Sequence, residues 1–171
     1  IFLDNAERLL TECGSAASSL LSSGCARVVV TWDLEPPWER SRKPCRHEDK
    51  EKVLKSLKDA KVSAQRVLLL CIERELECWL MADKRALEKV IGEYKHPHPV
   101  GPILDYKQPD TKIRRPKTEL IGLFQRELGK GRKYVDRDHA LRIARSIPDW
   151  TRLRRSASFR RFAEKAAKVS L

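Results

Sequence analysis

The chain predicts an α/β domain with a small, mostly parallel sheet, followed by a basic helical segment. Two short apolar runs, Val28-Val29-Val30-Thr31-Trp32 and Val67-Leu68-Leu69-Leu70-Cys71-Ile72, flank a charged amphipathic stretch, which is the strand, helix, strand rhythm of a parallel sheet. A length of 171 residues suits one core better than two. Charge is one-sided: Ile1 to Thr111 holds 18 Lys or Arg against 18 Asp or Glu, while Lys112 to Leu171 holds 18 against 6, so the net +12 lies wholly in the final stretch.

Taken in order, Phe2, Leu3, Ala6, Leu9, Leu10 and Cys13 recur at three and four and predict a helix, with Gly14 as its end. Ala16, Ala17, Leu20 and Leu21 resume the stripe up to Gly24, a left-handed cap before the first strand. That strand, from about Ala26 to Trp32, reads as buried on both faces and stops at Pro36-Pro37. Polar residues from Glu39 to Lys43 lead to a charged helix from roughly Arg46 to Asp59, with Val53, Leu54 and Leu57 inward. After the second strand, Glu73-Arg74-Glu75 opens a helix carrying Leu76, Trp79 and Leu80. Asp83 then caps another, with Ala86, Leu87, Val90 and Ile91 inward and Gly92 as its stop.

Residues 93–116 hold five prolines and read as a long irregular connection. Pro116 starts a helix through about Leu128, ended by Gly129. Ala140, Ile143, Ala144 and Ile147 mark the next helix. Phe159, Phe162, Ala163, Ala166 and Val169 mark the last, capped by Ser156 or Ser158. The expected organisation is a core over residues 1–92, a Pro-rich connection over 93–116, and a basic helical segment over 117–171 packed on the same domain.

Four carboxylates follow the two strands. Asp33 and Glu35 are two apart and can point the same way, as hard oxygen ligands for Mg²⁺ or as a solvated acidic turn. If the strands are parallel neighbours, Glu73 and Glu77 join them at one sheet edge, where mutual repulsion favours a divalent cation. Glu73 and Glu77, four apart, share a face if the helix begins at Glu73; acidic residues at a helix start also need no function beyond complementing its dipole.

Several classes are excluded or weakened. No apolar run reaches transmembrane length. Five cysteines, odd in number and mostly in apolar contexts, suit reduced thiols of a cytoplasmic protein rather than a disulfide frame. Ile1 is not an initiator Met and no signal peptide follows it, so the natural chain is expected to start upstream. Cys45-Arg46-His47 and His96-Pro97-His98 lack the spacing of a structural zinc site, and Gly129-Lys130-Gly131 is too short for a phosphate loop.

The Val-rich strand ending in Asp33-Leu34-Glu35, the run from Glu73 to Asp83, and Ser156-Ala157-Ser158-Phe159-Arg160-Arg161-Phe162 resemble a Toprim-like bacterial family of unknown function, some of whose members occur among defence genes. That family is related to Toprim nucleases of the overcoming-lysogenization-defect type. The resemblance implies a three-layer Toprim-like fold and Mg²⁺ (or Mn²⁺) held by Asp33 and Glu35 in the place of an Asp-x-Asp element. Glu35 is a departure that lengthens the carboxylate. The family's first-strand glutamate has no match and is expected upstream of Ile1.

These readings converge on a Mg²⁺-dependent nuclease or related phosphodiester chemistry on nucleic acid, with a role in antiphage defence. Asp33, Glu35 and Glu73 would hold the metal, and Glu73 or Glu77 would complete the site or orient water. The nucleic-acid backbone would be held by Lys112, Arg114, Arg115, Lys117, Arg132, Lys133, Arg154, Arg155, Arg160 and Arg161, and Tyr134 could stack on a base. Trp79 and Trp150 read as core. The alternative is a non-catalytic nucleic-acid-binding or protein-interaction subunit of a larger assembly, for which a protein partner in a defence complex is expected.

Overall fold

The computed structural model describes residues 3, 5–35, 37, 43 and 45–167. The expected roles of Phe2, Pro36 and Val169, and the polar residues Glu39 to Arg42, lie outside them. The architecture is mixed helix and strand with one two-stranded parallel sheet. It divides into two compact units, one through Glu73 and the other from Arg74 to Glu164. The helix that ends near residue 92 shares its apolar core with the basic helices that follow.

In the first unit, helix α1 (Ala6–Ser22) begins at Asn5, whose side chain accepts from Arg8 N at 2.9 Å. It runs straight through Gly14, contrary to the predicted stop. Gly14 is where α1 meets α2 (Arg46–Asp59): its N–H lies 3.3 Å from Ser56 Oγ, and a Cβ there would sit 2.3 Å from the Ser56 carbonyl oxygen. The glycine permits close approach rather than ending a helix.

Strands β1 (Val28–Asp33) and β2 (Val67–Ile72) pair in parallel, with Val28 opposite Val67 and Asp33 opposite Ile72. Leu34 N extends the ladder to Ile72 O at 2.8 Å. Val28, Val30, Trp32 and Cys71 join Leu9, Cys13 and Ala17 of α1 and Val53 and Leu57 of α2 in one core. Because successive strand residues alternate faces, Val29 and Thr31 fall on the other side and are exposed. Strand β1 is thus covered on one face, not two as expected. On the side of Val29 and Thr31, Leu70 and Ile72 of β2 are buried.

The second unit is helical. Asp83 caps α4 (Lys84–Lys95) as predicted, accepting from Arg85 N at 3.1 Å, and Ala86, Leu87, Val90 and Ile91 are buried. The helix passes Gly92 and ends a turn later, where Lys95 Nζ meets Glu127 Oε2 at 2.8 Å. Pro116 opens α6 (Pro116–Leu128), with Gly129 following at φ +95°. Between them lies one short helix, α5 (Pro109–Lys112), in the irregular connection. A π-helical turn (Asp136–Ala140) enters α7 (Leu141–Arg145), a 3₁₀ segment spans Trp150–Arg155, and Ser156 caps α8 (Ala157–Phe162) by accepting from Phe159 N at 3.1 Å. A core of Leu87, Ile91, Ile113, Leu120, Phe124, Ile143 and Leu153 joins α4, α6 and α7 to the later segments. Among the described residues, no helix is long and apolar enough to cross a membrane.

Candidate functional site

The strand pairing sets Asp33 at the carboxyl edge of the sheet, with Glu35 half-buried in the bend that follows. Glu73 comes directly after Ile72, one residue beyond the partner of Asp33. Alternation separates the two: Asp33 shares its face with Leu70 and Ile72, whereas Glu73 reaches the start of α2, where Arg46 Nη1 stands 3.9 Å from its Oε1. Among the described residues, no group of three or more His, Cys, Asp or Glu side chains could hold a metal ion. Of the four expected carboxylates, Asp33, Glu35 and Glu73 follow the carboxyl ends of the paired strands.

Glu77 belongs to the second unit. The predicted helix from Glu73 is replaced by α3 (Glu77–Leu80), a single turn, so Glu73 and Glu77 share no helix face. What delays the helix is long-range: Arg74 Nε donates to Asp110 O at 3.2 Å, and Glu75 Oε2 accepts from Lys117 N at 2.7 Å at the start of α6. Glu77 is 7% exposed and faces the Tyr134 hydroxyl, 3.5 Å from its Oε1. Burial raises its carboxyl above the ordinary value of 4.5, and the nearby charges of Asp136 and Glu75 push the same way. Tyr134, expected to stack on a base, is itself buried against Phe124 at 5.8 Å and is held in its protonated form by burial and by Glu77.

The basic residues separate into two groups. Lys112, Arg114, Arg115, Arg132, Lys133, Arg154 and Arg160 are exposed. Their side chains make no hydrogen bond or ion pair with another described residue. Lys117 and Arg155 are already engaged: Lys117 Nζ pairs with Asp136, and Arg155 Nη1 lies 2.5 Å from Asp105 Oδ1 and 3.3 Å from Ala82 O. Arg161 is half-buried on α8. Helix α6 separates the exposed cations along about 20 Å of axis, with Arg114 and Arg115 before its first turn and Arg132 and Lys133 after Gly129. The Lys117–Asp136 pair returns the chain to the amino end of α6, beside Arg114 and Arg115.

Residues 74–164 hold 22 Lys or Arg against 13 Asp or Glu, and residues 1–73 hold 12 against 11. Three carboxylates of the second unit pair with its own arginines: Asp83 binds Arg85 Nη2 at 2.7 Å, Asp105 binds Arg152 and Arg155, and Glu93 binds Arg142 at 2.8 Å.

Trp150, expected in the core, is 51% exposed. Its position was signalled locally, since it follows the polar cap Asp149 and precedes Thr151 and Arg152. The surroundings of Glu77 had no such signal, because Tyr134 and Asp136 are more than fifty residues away in sequence. No family model, curated protein or solved structure matches the chain.

Proposed function

We propose that the protein binds nucleic acid through the cationic surface of its second unit. The observation that supports this reading is the set of exposed Lys and Arg side chains around α6 that pair with no other described residue, in a unit holding 22 Lys or Arg against 13 Asp or Glu. Such charges take phosphates by counterion release, which makes binding strong at low salt and independent of sequence. The test is fluorescence anisotropy with labelled oligonucleotides across a salt series. Replacing Arg114, Arg115, Arg132 and Lys133 together by Glu should weaken binding to every probe and flatten the slope of log affinity against log salt by about three, at close to one per lost phosphate contact. Unchanged affinity and slope would sink the reading.

Metal-dependent phosphodiester cleavage in a Toprim-type fold is a second reading, favoured by one observation: Asp33 stands at the carboxyl edge of a parallel β-α-β unit, where open α/β sheets carry their ligand sites. Asp33 and Glu35 would be its metal-holding residues. Cleavage of single- and double-stranded probes with and without Mg²⁺ or Mn²⁺, compared with Asp33→Asn, tests it; metal-dependent cleavage that survives the substitution removes the assignment.

A further inference from the structure

Of the three described tryptophans, Trp32 is 6% exposed in the sheet core and Trp79 is packed on Phe159 at 5.1 Å and Phe162 at 5.5 Å, with its indole N–H donating to Ser158 Oγ at 2.9 Å. Trp150 alone among them is open to solvent. It opens the 3₁₀ segment Trp150–Arg155, and that segment is pinned nearly residue by residue. Thr151 N and Oγ1 bind Asp149 Oδ1 at 2.9 and 2.6 Å, Arg152 reaches both oxygens of Asp105 at 3.2 Å, Leu153 is 1% exposed, and Arg155 binds Asp105 and the Ala82 carbonyl. What the turn leaves unanchored is Trp150 and Arg154.

An aromatic ring held on a rigid turn loses little conformational entropy when something stacks on it. Arg154 lies four residues on, about 8 Å along a 3₁₀ axis, and its side chain makes no bond to a described residue. The carboxylate beside the ring, Asp149, is turned back onto Thr151, from whose N and Oγ1 it accepts. The exposed ring and a guanidinium that pairs with no other described residue together match a base with its flanking phosphate. They do not match an apolar protein surface, which would meet charges on both sides of the ring. A base paired within a duplex offers no open face to an indole, whereas an unpaired base does.

We infer that Trp150 is a stacking platform for an unpaired base of a single-stranded nucleic acid, with Arg154 taking the adjacent phosphate. This rests on the nucleic-acid reading above and names its substrate class. The experiment is an anisotropy titration of the full chain with a labelled oligothymidylate and with a duplex of equal length, for wild type, Trp150→Ala, Trp150→Phe and Arg154→Ala. Trp150→Ala should lower single-strand affinity by about 10- to 100-fold and leave duplex affinity within about twofold; Trp150→Phe should retain most of the single-strand affinity. Arg154→Ala should reduce the single-strand salt slope by about one.

Undiminished single-strand affinity in Trp150→Ala overturns the platform while leaving the charge reading intact, and so does an equal loss on both probes. Failure of the wild-type chain to bind either probe overturns both readings. Because the ring is exposed, the variants should melt with wild type. If Trp150→Ala does not fold, Trp150→Gln takes its place, and undiminished single-strand affinity in that variant, or an unchanged single-strand salt slope in Arg154→Ala, overturns the platform.

Discussion

The two units hold themselves together by different means. In the first, α1 and α2 lie on one face of a two-stranded sheet, and the decisive contact is steric: Gly14 lets one helix backbone approach the other. In the second, the helices share an apolar core but the irregular segments between them are tied by buried carboxylates. Asp110 Oδ2 accepts from Ser156 Oγ at 3.0 Å, Ser158 N at 3.0 Å and Ser158 Oγ at 3.3 Å, and Asp83 binds Arg85. The lesson is that short elements with long connections need polar ties of fixed geometry, since apolar contact alone does not set the path of a loop.

The strongest way to break this contrast is to remove the hub. Asp110→Ala leaves buried donors on Ser156 and Ser158 without their acceptor and should cost about 3 kcal/mol or more. Denaturant unfolding measures the loss, and hydrogen exchange should show it first around α8. A loss under about 1 kcal/mol would mean that the carboxylate network is incidental. Next in size is Gly14→Ala. Its methyl would meet backbone, which cannot yield as a side-chain end does, and the expected cost is about 2 kcal/mol, with faster exchange in α1 and α2. A neutral outcome would show that the two helices slide apart freely, and the steric half of the comparison would fall.

Most of the elements were legible because their signals are local. Asp83, Pro116, Gly129 and Ser156 mark helix ends through their own backbone chemistry, and the two apolar runs became the two strands. Gly14 and Gly92 misled, since a glycine inside a helix looks like a stop until the partner helix or later anchor is seen. The candidate site was less legible. Asp33 lies where expected, but the gathering of four carboxylates assumed that Glu73 and Glu77 begin a helix. Bonds from Arg74 to Asp110 and from Glu75 to Lys117 span 36 and 42 residues and draw that segment away. Tyr134 is buried where exposure was expected because its partners Phe124 and Glu77 are remote in sequence, whereas the exposure of Trp150 follows its own polar neighbours.

The smallest predicted effect sharpens the polar half of the comparison by its dependence on pH. Glu127, its side chain 5% exposed, accepts from Lys95 Nζ and Gly101 N, each at 2.8 Å, and from Arg126 Nε at 2.9 Å. Those bonds, Lys95 first, hold its carboxyl at about 2, against an ordinary 4.5. A group depressed on folding stabilises the folded chain once it is ionised in both states, so the contribution is complete above pH 4.5 and fades as the pH falls towards 2. It should amount to about 1–3 kcal/mol. Glu77 runs the other way, because burial raises its carboxyl and ionisation works against the fold. Glu127→Gln should therefore flatten the acid limb of a stability profile measured by urea unfolding from pH 7 to pH 3, with loosening centred on the ends of α4 and α6. If wild type and variant lose stability in parallel over that range, the Lys95–Glu127–Gly101 tie is not what fixes the connection between the two helices.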